Sequence, residues 1–399
     1  MTLMRFIYRL LFSATVLLLM QPALAQTPST TPPANPQALQ KSALALEKQG
    51  HFLEAEQVWH MLLKHLSGTE AAEAYAHLGL DQAHEQNYTE AIQNYRHALE
   101  LAPNMHGLKT DLALSYFKTG KFQAAIPLLA DALQQQPGNL RLIILLGMAH
   151  YGVRQFRQAV PYLTEAAKQT PDNAALLLPL AQACLWSRQF ACVLSTYRQI
   201  LALNADSAEA DMLAGEAYSA QGKTNPAIHE FQEAIAANPN LPQGHFGLGY
   251  LLWTERNYAA AEVEFRAELA LNPEDGQSLA YLGDSLLQEG KSVEAKSCLM
   301  RAIALDPQQE LAPLDLGILS ESENNPQRAI HYLQSAIQIN PSDTDPRWHL
   351  ARLYQRMGLH QQAQTEFSIV SRMKQQSAES LYLKMAGSAL AESAAHAKQ

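Results

Sequence analysis

A proline recurs every 34 residues through most of the chain, at Pro103, Pro137, Pro171, Pro239, Pro273, Pro307 and Pro341, with Ala205 filling the one vacant place. A fixed period of this length describes one supersecondary unit copied along the chain. Each copy is too small to bury its own core and must stack on its neighbours. Function then has to be sought on a surface.

Counting back from the ladder exposes the packing rule. A column of small residues reads Gly79, Ala113, Gly147, Ala181, Gly215, Gly249, Gly283 and Gly317, and the residue before each is Leu78, Leu112, Leu146, Leu180, Ala214, Leu248, Leu282 or Leu316. A second small column reads Ala91, Ala125, Ala159, Val193, Ala227, Ala261, Ala295 and Ala329. One helical turn later stand Tyr95, Leu129, Leu163, Tyr197, Phe231, Phe265, Leu299 and Leu333. Small residues flanked by large apolar ones at helical spacing predict two antiparallel helices per unit, with backbones approaching closely where the small side chains meet. Turns such as Thr119-Gly120-Lys121, Gln221-Gly222-Lys223 and Glu289-Gly290-Lys291 place glycine where a helix ends in a left-handed residue. The proline then ends the second helix, and Asn104, Asp172 and Asp275 are candidate caps for the next one.

One copy carries Tyr75, Leu78-Gly79, Ala91, Tyr95, Ala98 and Pro103, with Gln82 in place of a second tyrosine. In this pattern the chain resembles the tetratricopeptide repeat family, over residues 36–377 and about ten repeats. The first copy, with Gly50, Phe52, Ala55 and Trp59, is two residues out of phase, and the last carries Ala351, Tyr354, Gly358, Ala363 and Phe367. The resemblance implies an all-α solenoid of antiparallel helix pairs wound into a right-handed superhelix. Residues 378–399, with Leu381, Tyr382, Met385 and Leu390, are expected to form a C-terminal capping helix and tail.

The N-terminus lies outside the repeat frame. Arg5 and Arg9 precede the apolar run Leu10 to Met20, and Ala23-Leu24-Ala25 follows, so residues 1–25 read as a secretory signal cleaved before Gln26. A retained membrane anchor is the alternative, for which the apolar run is short. Residues 26–35 form a Pro/Thr-rich linker. These features predict an exported protein, periplasmic or secreted, without stable membrane insertion once the signal is gone. Loss of Arg5 and Arg9 takes the formal charge from −9 to −11. With neither a basic run nor a basic column, a nucleic-acid partner is not expected.

Chemistry-bearing constellations are sparse. Cys184 falls late in a first helix and Cys192 early in the following second helix, so the turn could bring them together as a disulfide. The alternative is two free thiols, because Cys192 shares a solvent-facing column with Glu90, Gln158 and Arg328. Cys298 has no evident partner and reads as a small apolar residue. His77 and His84, with Asp111 one repeat on, are the best metal candidates, yet their spacing matches no structural site and surface histidines are the expectation. No nucleophile elbow, phosphate loop or dinucleotide fingerprint occurs, and repeats occupy the rest of the chain. Neither enzymatic activity nor a cofactor is expected.

In the family the first helix of each pair lines the concave side. Projected onto this chain, that geometry gives a protein-binding groove with Phe117, Met148, Tyr151, Trp186, Phe246, Tyr250 and Trp253, and further apolar residues such as Leu114, Ile144, Leu178, Leu185, Met212 and Tyr281. Such residues could grip an extended peptide or amphipathic helix, or simply pack against the next repeat. Trp186 and Trp253 occupy no packing column and favour the first reading. Toward the C-terminus the same face turns polar, with Asp284, Asp315, Glu321, Asp345, Arg352 and Arg356 expected to be solvated. Relatives that grip a terminal carboxylate use asparagines and lysines where this chain has Leu80, Leu114 and Met148, so that mode is not expected. The repeat at residues 174–207 breaks the frame at Val193, Ile200 and Ala205 while holding both cysteines and Trp186, which marks it as a place to look for function. The sequence therefore reads as an exported, non-enzymatic scaffold for protein or peptide partners. The alternatives are a periplasmic assembly factor for polysaccharide or outer-membrane machinery and a non-catalytic subunit of an enzyme complex.

Overall fold

A computed structural model describes residues 35–105, 107–204 and 206–396, with side chains through residue 379. The leader, nearly all of the linker, and Ala205 lie outside these residues. Among the described residues every regular element is a helix. The residues up to Ser115 form one compact unit and those from Tyr116 a second, the division falling within a helix.

The first unit holds α1 (Pro36–Lys48), α2 (Phe52–Leu63), α3 (Gly68–His84) and α4 (Tyr88–Leu101), and α5 (Leu108–Lys118) crosses the division. The second continues with α6 (Phe122–Gln135), α7 (Leu140–Gly152), α8 (Phe156–Gln169), α9 (Ala174–Trp186), α10 (Phe190–Leu203), α11 (Ala208–Ala220) and α12 (Thr224–Ala237). It ends with α13 (Gly244–Thr254), α14 (Tyr258–Leu271), α15 (Gly276–Gln288), α16 (Ser292–Leu305), α17 (Leu311–Ser322), α18 (Pro326–Ile339), α19 (Asp345–Arg356) and α20 (His360–His396). Odd-numbered helices are the first of each pair and even-numbered ones the second.

The small column does what its composition predicts. A β-carbon added at Gly79 would stand 2.6 Å from the Tyr95 ring, one at Gly249 would stand 2.9 Å from Phe265, and one at Gly317 would stand 2.8 Å from Leu333. The alanine column is sealed from solvent, as is Val193 in the irregular repeat, whose Ile200 is also buried. Both join the core around Leu163, Leu180 and Leu213, so these departures from the pattern fill volume inside the stack.

Two expectations about helix ends need correction. α10 stops at Leu203, in register with Leu101, Gln135, Gln169 and Ala237, although its place in the ladder holds alanine. Packing of the next repeat sets the stop, and proline reinforces it. At the C-terminus no separate capping helix begins at residue 378, because α20 runs unbroken from His360 to His396. No proline interrupts it there. Of the cap candidates, Asp275 accepts the Gln277 N–H at 3.2 Å, whereas the cap place of α9 is Asn173, one residue after Asp172.

The turn within each pair is left-handed in every repeat from Gln86 onward. Glycine occupies it at Gly120, Gly222, Gly290 and Gly358, but Gln86, Arg154, Arg188, Arg256 and Asn324 adopt the same sign of φ, between 58° and 64°. The N–H one residue further returns to a carbonyl in the last turn of the first helix, as from Asn257 to Leu252 at 2.9 Å. This closes the helix in a Schellman-type end.

Two substitutions test this architecture. Gly283→Ala places a methyl group 2.5 Å from Leu299 and should cost about 1–3 kcal/mol in urea unfolding. Arg256→Gly relieves a left-handed side-chain residue and should stabilise by about 0.5–1 kcal/mol in the same measurement.

Candidate protein-binding face

Within the second unit the first helices of successive repeats touch one another from α7 through α19, making a continuous wall. Most of the expected groove residues lie along it half-buried. Phe117, on the last turn of α5, meets Phe122 edge-on at 5.1 Å between centroids. Met148, Tyr151 and Leu185 pack on the core of the irregular repeat, and the Tyr151 hydroxyl donates to Gln182 on α9. Trp186 is 65% exposed, with its ring loosely stacked on Phe156. Beside it a disulfide joins Cys184 to Cys192, with the Cα atoms 5.8 Å apart, tying the end of α9 to the start of α10. Cys192 is thus partly covered where its column predicted solvent. Cys298 is a half-buried free thiol, and burial raises its pKa.

Further along, Phe246, Tyr250 and Trp253 on α13 meet Tyr281 on α15. Tyr250 and Trp253 lie near-parallel at 22°, and each stands almost perpendicular to Tyr281, at 88° and 80°. The three rings form a corner whose floor includes Phe265, 5.8 Å from Tyr281. Trp253 is not the free side chain that its column implied, because its indole N–H donates to Asp284 at 2.5 Å. The Tyr151–Gln182 bond repeats the same register, since both bonds join residues 31 apart. Glu268 orients the corner from behind. It is buried on α14 and accepts the N–H groups of Gln243 and Phe246, each at 3.2 Å, at the start of α13.

The charged end of the wall differs most from expectation. Asp284 and Asp315 are buried rather than solvated. Asp284 also accepts from Gln288 at 3.2 Å, whereas Asp315 Oδ2 is sealed from solvent with no donor. Its burial, together with the neighbouring Asp284 charge, holds the Asp315 carboxyl well above the usual carboxylate range. A lone carboxylate can be kept inside only at a cost that protonation or a cation relieves. Burial likewise raises Glu216 on α11. Glu321 pairs with Arg356, and Arg352 lies over the Trp348 ring at 4.6 Å. Asp345 and Arg352 are exposed as expected.

In the first unit the candidate metal histidines serve packing. His77 stacks on Trp59 at 4.6 Å and meets Glu47 at 2.9 Å, while His84 stacks on Phe52 at 4.1 Å. Asp81, between them on α3, is buried, and burial with the nearby Glu47 charge lifts its pKa to about 7. Among the described residues no group of three His, Cys, Asp or Glu side chains is placed to hold a metal, and no helix is long and apolar enough to cross a membrane.

Family models for the tetratricopeptide repeat match residues 72–105, 144–189, 215–254, 277–309 and 322–386. The chain belongs to the tetratricopeptide repeat family. No curated protein matches it in sequence. Among solved structures it is similar to YrrB, described as a tetratricopeptide protein with an unusual peptide-binding site, at 23% identity and a TM-score of 0.41, covering 46% of this chain and 95% of that one. It is also similar to MamA from Desulfovibrio magneticus RS-1, at 21% identity and a TM-score of 0.39, covering 42% of this chain and 96% of that one. The Cut9–Hcn1 assembly of the APC/C gives 14% identity and a TM-score of 0.47, covering 85% of this chain and 81% of that one. Tetratricopeptide arrays are typically non-catalytic, and these repeats support a scaffold for protein–protein interaction.

Glu268→Ala leaves two backbone N–H groups of α13 without an acceptor. Destabilisation of about 1–3 kcal/mol is expected, with weakening of the near-ultraviolet circular dichroism of the aromatic corner.

Proposed function

We propose that this tetratricopeptide protein is an exported, non-enzymatic scaffold that holds a partner protein along the first-helix wall of its second unit. The observation that carries the reading is the row of aromatic side chains left partly open there, with Trp186 65% and Tyr250 38% exposed. Large rings that keep solvent contact on a rigid helical surface supply binding energy when a partner covers them, at little further loss of conformational freedom. A wall built from repeated helices suits an extended segment or an amphipathic helix, whose apolar side chains recur along its length. The export half of the reading rests on the basic, apolar and small-residue order of residues 1–25, with residues 26–35 as a tether between the cleavage site and the first repeat.

Crosslinking in the native envelope, followed by purification and identification of partners, tests both halves. The exposed pair Trp186→Ala, Tyr250→Ala is the suitable variant, because Trp253 also holds Asp284. Loss of a specific partner in the variant is expected, and an unchanged partner list would count against the wall as the binding surface. The purified protein should begin at Gln26; retention of the leader would overturn processing by signal cleavage.

A further inference from the structure

The carboxylates of the second unit are unevenly balanced by basic side chains. Those of the second helices α14 and α16 are answered across repeats: Lys291, at the start of α16, reaches Glu262 at 2.7 Å, and Arg266 on α14 reaches Glu294 on α16 at 2.9 Å. The first helices α9, α11, α13, α15 and α17 contain neither lysine nor arginine. They nonetheless carry Asp284, which holds Trp253 of the aromatic corner, Asp315 near Asp284, and Glu216. Glu216, Tyr250 and Asp284 occupy equivalent places one repeat apart on α11, α13 and α15, while Asp315 on α17 stands in the place that Tyr281 fills on α15. Where the Tyr151–Gln182 and Trp253–Asp284 pairs supply a donor, the matching place facing Glu216 is Leu185, which has none.

Two properties of this region point to the same ligand. Rings present negative faces, so a corner of two near-parallel rings closed by a third attracts a cation. The adjoining acids have no basic side chain on these five helices to balance them, and one of them keeps a buried oxygen with no donor. The wall already accommodates such a contact in its last repeat, where the Arg352 guanidinium lies over Trp348.

We propose that the corner of Tyr250, Trp253 and Tyr281 receives a lysine or arginine side chain of the partner segment, with Asp284, which Trp253 holds in place, as its counter-charge. This rests on the protein-binding reading above and makes it narrower, since the partner must carry a basic residue within its bound stretch. The Trp253–Asp284 bond is kept in the complex and fixes the carboxylate that faces the incoming cation. The rest of the segment contributes apolar side chains to the neighbouring rings.

The test uses the full chain and an array of acetylated nonapeptides, randomised except for one place set in turn to Arg, Lys, Gln, Leu or Glu. Arg or Lys at one place should be retained about tenfold better than Gln or Glu. Asp284→Asn with Asp315→Asn, nearly isosteric changes, should abolish that preference while apolar preferences persist. Tyr250→Leu, on the exposed rim, should weaken it independently and guards against misfolding of the buried pair. Binding with no preference for a basic residue, or a preference that survives the asparagine pair, overturns this inference and leaves the protein-binding wall standing. Absence of any peptide binding overturns both.

Discussion

Each repeat depends on one close approach, where a first-helix residue without bulk meets a large side chain of the second helix. Gly79 against Tyr95, Gly249 against Phe265 and Gly283 against Leu299 are instances, and none has room for even one added carbon without movement. Because the interior is packed at this density, the separation and angle of the pair are set repeat by repeat. The same contact determines which side of each first helix is left over. That remaining side, joined from one repeat to the next, becomes the wall on which Trp186, Tyr250 and Trp253 stand.

Polar contacts then distinguish the two surfaces. Exposed ion pairs between second helices, such as Arg266 with Glu294, contribute little individually. On the wall the polar contacts run between neighbouring first helices, from Tyr151 to Gln182 and from Trp253 to Asp284. Glu268 adds a third kind, since it belongs to a second helix yet anchors the first turn of the helix bearing the aromatic corner. The site is thereby held by packing behind it and by hydrogen bonds along it.

The apolar columns were legible because each position sees the same environment in every repeat, so one rule applies eight times over. Other features escaped for stated physical reasons. Arg154, Arg188 and Arg256 gave no sign of left-handed backbone, since only glycine announces that conformation by its chemistry. Asp284 and Asp315 were read as solvated because charged side chains on helices usually are, yet both are buried, Asp284 against Trp253 of the preceding repeat. Trp253 looked free because its acceptor lies 31 residues further along the chain.

The sequence by itself determined the period, the helix pairs, the small-to-large contacts and the family to which the chain belongs. These follow from local spacing, and spacing survives projection onto one dimension. Tertiary structure alone decided which polar groups are sealed from solvent, which tryptophan remains open, and that α10 stops in register without a proline. Those outcomes depend on what a neighbouring helix presents, or fails to present, at one place in space. The vacant rung of the proline ladder illustrates the division: the pattern marked it as irregular, while packing ended the helix in register without proline.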